Sequence, residues 1–182
     1  MSSSEKFANF VHAFGAARLL LRRANQKGFL IEGLALYSSL TDAFLRIALI
    51  LKRQLVKQND DIDDLLTSQE PGGQFYTERQ IQRFANSEHV IEDDLFKEIG
   101  ELYDHRNSVI HKFFLTNLEY AHLPEILERY EKVYNTLFAL VYALEKEQIE
   151  RGVGMTRLEK SAGREAIATE VLKKIDSALK KK

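Results

Sequence analysis

Helix-breaking residues are scarce in this chain, and their scarcity limits the folds that it can adopt. The 182 residues include only 2 Pro and 9 Gly. Because these two residue types cost a helix the most, long uninterrupted helices are expected between them. Apolar residues recur three and four positions apart, and no segment alternates apolar and polar residues as a strand does. The pattern predicts an all-α fold, an antiparallel four-to-five-helix up-and-down bundle with a C-terminal helical appendage.

Four long segments carry the helical spacing. They cover about residues 5–27, 30–57, 91–114 and 124–150. The second segment is apolar nearly all round, which indicates burial on several sides. Gly28 stops the first segment, Pro124 opens the fourth, and Thr77 resembles the cap of a shorter helix between the second and third. We interpret residues 58–76 as a surface loop or short helix, because they hold many acids and the turn signal Pro71-Gly72-Gly73.

The chain divides near Gly152. We expect residues 1–152 to form the helical bundle and residues 153–182 to form an amphipathic helix with a Lys-rich tail. The apolar positions of that helix are Ala168, Val171, Ile175 and Leu179. Such a helix packs on the bundle, docks into a partner's groove or frays, and the sequence leaves these three alternatives open.

Composition excludes several classes of site. The chain has no Cys, so disulfides, Cys-ligated zinc, Fe–S clusters and thiol nucleophiles are excluded. No metal or cofactor motif is present, and we expect neither group. The most apolar stretch, 29–51, is interrupted by Glu32, Asp42 and Arg46, and the N-terminus lacks the features of a secretory leader. We therefore expect a cytoplasmic protein without a membrane span.

Charge is spread unevenly along the chain, although the net charge is only −1. Residues 1–59 carry +6, residues 60–104 carry −10 and residues 105–182 carry +3. Such a chain is not a general polyanion binder, so any contact with RNA needs a local basic site. Arg18, Arg22 and Arg23 form either a phosphate-contacting patch or a solvated face. The run 60–64 contains a DDxxD string, which we interpret as a solvated acidic loop.

The third segment places an arginine on its apolar stripe. Leu95, Ile99, Leu102, Val109 and Phe113 follow a four-three spacing, and the position missing from that stripe holds Arg106. Because an unpaired buried charge is costly, Arg106 must reach solvent, meet an acid or line a cleft. A polar row runs beside the stripe and consists of Asp104, Ser108 and His111, with Asn107 adjacent.

The string Arg106-Asn107-Ser108-Val109-Ile110-His111 is an R-x4-H pattern that begins Arg-Asn. It lies within a long helix of an all-α chain. This arrangement resembles the HEPN family, the higher eukaryotes and prokaryotes nucleotide-binding domain, over roughly residues 5–150. Many HEPN proteins are metal-independent ribonucleases. The resemblance implies that Arg106, Asn107 and His111 are catalytic.

The chemistry of RNA cleavage explains the need for these residue types. RNA carries its own nucleophile, the 2′-OH, so cleavage needs a base and a cation that stabilises the developing phosphorane charge. His111 is the proposed base and Arg106 the stabilising cation, since histidine titrates near neutrality and arginine forks onto phosphate oxygens. Asn107 orients His111 or the phosphate. Asp104, Ser108 and Asp42 are expected to support the site.

Residues five apart lie about 140° apart around an ideal helix, so one helix does not easily aim both side chains at one point. The family resemblance implies a homodimer whose two copies share a cleft. It also implies RNA as substrate, a role in toxin–antitoxin or antiviral defence, and an antitoxin or regulatory protein partner. One position departs from the pattern: some family toxins carry a tyrosine, modified by their antitoxin, where this chain has Phe113. Neutralisation by that modification is therefore not expected.

A second interpretation makes the protein a non-catalytic helical module that dimerises or binds a protein or nucleotide partner. In that case the row of Arg106, Asn107 and His111 only secures the interface. Structural alternatives for the single residues are a pair of Arg106 with a buried acid such as Asp42 or Glu32, and an ordinary hydrogen-bonded His111. Asp42 and Arg46 are one turn apart, so they form a helix ion pair unless Asp42 supports the site.

Overall fold

The structure, a computed structural model, describes residues 3–68, 73–112 and 120–155 of the chain. These ranges contain six α-helices, one 3₁₀ turn and no strand. The helices are α1 (Ser3–Lys27), α2 (Leu30–Lys57), α3 (Asp64–Thr67), α4 (Glu78–Ser87), α5 (Asp93–Lys112) and α6 (Leu123–Arg151), and the 3₁₀ turn is Tyr120–His122. The predicted all-α helical bundle is confirmed. Phe113 and residues 156–182 lie outside the described ranges, so the predicted C-terminal helix does too.

Local signals set several helix ends. Gly28 follows α1 with φ of 69°, and Gly152 follows α6 with φ of 66°, in a left-handed region that glycine enters without a steric penalty. Thr77 caps α4 and forms a capping box with Gln80, in which each side chain bonds the other residue's backbone N–H. Pro124 lies in the first turn of α6, where a missing N–H costs nothing.

The second helix, α2, is the core of the bundle. Its most extensive contacts are with α6, followed by α1, α4 and α5. Leu34, Leu40, Phe44 and Leu51 are almost completely buried, and each contributes about 1.5–3 kcal/mol by leaving water. By length and composition alone α2 could cross a membrane, but 67% of its most apolar 18-residue stretch is buried within the bundle. Burial on several sides was the prediction for this segment, and it is confirmed.

Contacts show that α2 and α6 run parallel. Tyr37 stacks against Tyr130 near the start of both helices, with ring centres 6.3 Å apart, and Gln148 donates to the carbonyl of Leu51 near their ends. In contrast, α1 is antiparallel to α2, because Phe14 packs edge-on against Phe44 while Asn25, further along α1, donates to the hydroxyl of Tyr37.

The direction of α5 completes the topology. Arg106 on α5 contacts Ser38 on α2, whereas Ile99 lines one small cavity together with Leu45. The residue numbers thus rise along α5 as they fall along α2, which makes these helices antiparallel. The four long helices alternate in direction along the chain, as an up-and-down bundle requires.

Two buried glutamines close one end of the bundle. Gln148 on α6 donates to Gln54 on α2 at 2.9 Å, and Gln54 in turn accepts from the backbone N–H of Met155 at 3.2 Å. Gly154 lies directly over Gln148, where an added Cβ would stand only 2.4 Å from the amide. Bundle contacts therefore continue through residues 153–155.

Arginines of α2 order the acidic segment that follows it. Arg46 donates to the carbonyls of Leu66 and Tyr76, at 3.2 and 2.9 Å. Arg53 binds both carboxylate oxygens of Glu88 and one oxygen of Asp63. Among the described residues no group of three or more His, Asp or Glu side chains could hold a metal ion. Within the acidic run 60–64, Asp63 contacts α2 and Asp64, the first residue of the one-turn helix α3, pairs with Lys6 on α1, whereas Asp60 and Asp61 are exposed.

Candidate functional site

Arg106 enters the seam between α2, α4 and α5. Leu102 and Val109 are buried on the same stripe of α5 as Arg106. Leu102 lies one turn before Arg106, and Val109 lies nearly one turn after it. The guanidinium donates from Nε to Ser38 Oγ at 3.1 Å and from Nη2 to a carboxylate oxygen of Glu78. Of the three outcomes expected for an arginine on this stripe, Arg106 therefore meets an acid. That acid is Glu78 on α4, and not Asp42 or Glu32 on α2.

A second ion pair joins α4 and α5, but here the arginine is on α4 and the carboxylate is on α5. Arg79, next to Glu78 on α4, donates to Asp104 on α5 at 2.5 Å. Each helix thus supplies one cation and one carboxylate to the other, and we call these two ion pairs the crossed pairs. The guanidinium carbons of Arg79 and Arg106 lie 4.5 and 4.7 Å from the centre of the Tyr103 ring. Both contacts are in the range of cation–π interactions.

Asp42 forms the helix pair that was one of the two alternatives left open by the sequence, and its part in a functional site stays a prediction. Asp42 accepts from Arg46 at 2.6 Å, so the predicted helix pair is present. Its carboxylate also lies near enough to Arg106 for that positive charge to lower the pKa of Asp42. The other oxygen of Asp42 and the hydroxyl of Thr41 are buried and have no hydrogen-bond partner among the residues that the structure describes.

A cavity of about 10 Å³ lies between these groups, at the lower limit of the space that one water molecule needs. It is lined by Ser38, Thr41, Asp42, Leu45, Glu78, Gln82, Ile99, Tyr103 and Tyr130. The two unpartnered oxygens therefore belong to a polar pocket in the interior of the bundle.

Burial dominates the electrostatics of this pocket. It raises the pKa of Asp42 and the pKa of Glu78, and the opposing effects of Arg46 and Arg106 do not cancel the increase. Burial also raises the pKa of Tyr130 to about 12. Charges interact strongly where water is excluded, so a change in one group here alters the others.

His111 lies apart from this pocket. It is exposed near the end of α5, and its side chain forms no hydrogen bond or ion pair with another described residue. Asn107 and Ser108 are half-buried, also without such a bond within the described ranges. Asp104 is exposed and engaged by Arg79. One copy of the chain therefore does not bring Arg106 and His111 together.

The remaining basic candidates have structural contacts or are solvated. Arg18 donates to the hydroxyl of Tyr134 at 3.0 Å and lies 5.4 Å from the centre of the Phe138 ring, so it packs α1 against α6. Arg22 and Arg23 are exposed on α1. Arg18, Arg22 and Arg23 are therefore not a cluster of equivalent side chains, and the choice between a phosphate-contacting patch and a solvated face stays open.

Another cavity in the described parts of the chain lies away from α5. It is a groove of about 700 Å³ between the end of α2 and residues 59–66. Its arginine, Arg53, is already held by Glu88 and Asp63. Volume alone does not make this groove the functional site, because the side chains that could perform chemistry surround Arg106.

Sequence reasoning missed Ser38, Glu78 and Arg79. The cap signal at Thr77 predicted a helix start, but it carried no information about which helix the following charges would meet. No protein-family model, curated protein or solved structure matches this chain. The likeness to the HEPN family therefore rests on the motif in α5 and on its helical setting.

Proposed function

We propose that this protein is a metal-independent endoribonuclease whose cleavage site is shared between two copies of the chain. The observation that carries the proposal is the placement of Arg106 and His111 on one helix. Arg106 is a shielded cation, with its side chain 15% exposed and paired with the carboxylate of Glu78. His111 lies exposed further along the same helix, with Asn107 between them.

The proposed reaction uses the substrate's own nucleophile. His111 takes the proton of the 2′-OH, and the resulting oxyanion attacks the adjacent phosphorus. Arg106 donates two N–H groups to the non-bridging oxygens as charge builds on the phosphorane. The bond from phosphorus to the 5′ oxygen then breaks, and a second copy of His111, in its protonated form, supplies that oxygen with a proton. The products are a 2′,3′-cyclic phosphate and a 5′-hydroxyl end.

The geometry of α5 supports a site that is shared with a second copy of the chain. Arg106 lies in the seam with α2 and α4, whereas His111 faces solvent, and positions five apart diverge by about 140° around the helix. A two-fold interface along the end of α5 would present each His111 to the other copy's Arg106. The exposed Ile110 supplies apolar surface at that position.

A second candidate function is a non-catalytic helical binding module. It is favoured by the contacts of Arg106, which already has Ser38, Glu78 and Tyr103 as partners. An arginine with this set of contacts stabilises an interhelical seam whether or not it meets RNA.

The deciding experiment measures RNA cleavage in excess EDTA with a panel that includes structured RNAs such as tRNA. The wild type is compared with His111→Ala and Arg106→Ala. Matched controls are His12→Ala, an exposed histidine on α1, and Arg129→Ala, another arginine in an interhelical ion pair. We expect the site variants to cleave at least about 100-fold more slowly, with cyclic-phosphate ends from the wild type, and the controls to cleave normally.

Fold is checked in each variant by its circular dichroism spectrum and melting curve. No cleavage by the wild type across the panel, or equal cleavage by folded site variants, would favour the binding module. Sedimentation of the wild type at assay concentration tests the shared site, because a purely monomeric active protein contradicts it.

A further inference from the structure

We propose that Arg79 and Arg106 form one binding site for two consecutive phosphates of an RNA strand, with Arg79 holding the phosphate beside the one that Arg106 stabilises. This inference rests on the proposed function and adds a residue that the motif in α5 does not contain. It follows from the contacts of Tyr103, from the crossed pairs and from the different exposure of the two arginines.

The two cations are neighbours because they share one aromatic ring. Arg79 is on α4 and Arg106 on α5, yet both guanidinium carbons lie within 4.7 Å of the centre of the Tyr103 ring. The electron-rich face of an aromatic ring attracts a guanidinium group. Tyr103 therefore stabilises an arrangement in which two positive groups remain close together, which is what a strand of closely spaced phosphates requires.

Carboxylates already occupy the places where phosphates would bind. Glu78 accepts from Arg106, and Asp104 accepts from Arg79. Carboxylate and phosphate present oxygen acceptors of similar geometry to the forked donors of arginine. The crossed pairs therefore keep both guanidinium groups extended and oriented while RNA is absent.

The exposed fractions of Arg79 and Arg106 indicate the order in which the two arginines would meet an RNA strand. The side chains of Arg79 and Asp104 are 45% and 67% exposed, so their pair is in contact with water and exchanges partners readily. Arg106 is 15% exposed and Glu78 33%. An incoming strand would thus meet Arg79 first, and Arg106 would receive its phosphate deeper in the seam.

The test measures binding of the full chain to a 2′-O-methyl RNA, which keeps the phosphates but lacks the nucleophilic hydroxyl. Fluorescence anisotropy is recorded over a range of salt concentrations. Arg79→Ala is compared with Arg83→Ala, which removes an exposed arginine one turn further along α4 that has no ion pair or hydrogen bond with the described residues. We expect Arg79→Ala to weaken binding about tenfold and to lower the salt slope by about 0.7. Arg83→Ala should change binding less than about twofold.

A second variant removes the competing carboxylate and leaves every arginine in place. Asp104→Asn frees Arg79, so it should tighten binding, and the gain should disappear when Arg79→Ala is added. Equal binding by the Arg79 and Arg83 variants, or no change with Asp104→Asn, would overturn the two-arginine site.

These outcomes are separate from failure of the proposed function. If cleavage depends on Arg106 and His111 while Arg79 has no effect on binding, the nuclease proposal stands and this inference is wrong. If cleavage is independent of Arg106 and His111, the nuclease proposal falls, and the inference falls with it.

Discussion

Two arginines that join α5 to neighbouring helices form ion pairs of the same type in different surroundings. Arg129 on α6 binds both oxygens of Glu98 at 2.8 Å and also contacts Glu101. Arg106 on α5 binds Glu78 on α4 and has Ser38 as a neutral partner. Both pairs join neighbouring helices, so a list of contacts alone would assign them the same role.

The pKa values of the two carboxylates, Glu98 and Glu78, shift in opposite directions. Hydrogen bonding to Arg129 lowers the pKa of Glu98, whereas burial raises the pKa of Glu78 despite Arg106. The two carboxylates are almost equally exposed, 33% for Glu78 and 34% for Glu98, whereas Arg106 is less exposed than Arg129, 15% against 28%. The difference teaches that the surroundings of an ion pair, as well as the pairing itself, set the direction in which the pKa of its carboxylate shifts.

The largest expected difference between the two regions is in stability. Arg106→Ala leaves Glu78 without its cation in a poorly solvated seam, so we expect the free energy of unfolding to fall by about 2–3 kcal/mol. Arg129→Ala removes a more exposed pair and should cost about 1 kcal/mol or less. Urea unfolding at neutral pH measures both values. The double variant Arg106→Met/Glu78→Leu should recover most of the loss, and equal losses for the two single variants would refute the distinction.

A buried hydrogen bond between two neutral groups provides a reference for the stability of the two ion pairs. The hydroxyl of Tyr130 donates to the carbonyl of Leu102 at 2.8 Å in the buried seam of α5 and α6. Tyr130→Phe should lower the free energy of unfolding by about 1 kcal/mol, because the carbonyl loses its donor while the ring still packs. The same urea series gives this value. A cost above that of Arg106→Ala would mean that charge is not what distinguishes the Arg106 seam.

The pH dependence of stability should have opposite signs in the two regions. The pKa of Glu78 in the folded protein is raised above its ordinary value of 4.5. The contribution of Glu78 to the free energy of unfolding therefore falls as pH rises from 4.5 to the folded-state pKa. The pKa of Glu98 is lowered, so its contribution is present above 4.5 and is lost as pH falls through the folded-state pKa.

Comparison of Glu78→Gln and Glu98→Gln with the wild type between about pH 3 and 7 tests these signs. The stability advantage of the wild type over Glu78→Gln should shrink with rising pH, while its advantage over Glu98→Gln should grow. Each change should be about 0.5 kcal/mol, since solvent screens partly exposed groups. The same sign for both variants would contradict the comparison.

The smallest expected effect concerns the outer of the crossed pairs. Asp104 is largely exposed, so Asp104→Ala should change the free energy of unfolding by about 0.3 kcal/mol or less. Thermal melts at low and high salt check this value. A larger loss would mean that Asp104 supports the fold, and would make it unsuitable for the binding test.

Local signals predicted much of the fold. The bounds of α2, the cap at Thr77 and the stops at Gly28 and Gly152 depend on residues close in sequence, and the structure confirms them. The ion pair of Asp42 and Arg46 was predictable for the same reason. In contrast, the sequence left a loop and a short helix open for residues 58–76, and it did not decide for α3 because contacts from Arg46 and Arg53 help to hold that segment in place.

The site was only partly predictable. The break in the apolar stripe at Arg106 indicated a special residue, but its partner Glu78 is 28 positions away and nothing in the spacing points to it. Arg79 carried no signal at all, because its meaning depends on which helix lies opposite. The roles of His111 and Asn107 stay predictions, since both depend on a second copy of the chain and on RNA.

The parallel pairing of α2 and α6 has a consequence for the order of folding. The buried contacts of Gln148 with α2 join positions 94 and 97 residues apart, so the principal partner of α2 is among the last parts of the bundle to be synthesised. Until then α2 presents apolar surface of a length and composition that would also suit a bilayer. Contacts of such long range slow folding, and exposed apolar surface favours aggregation. In a nascent chain of this protein, α1 is therefore the helix that can pack against α2 first. The apolar surface of α2 is fully buried only after α6 has been synthesised.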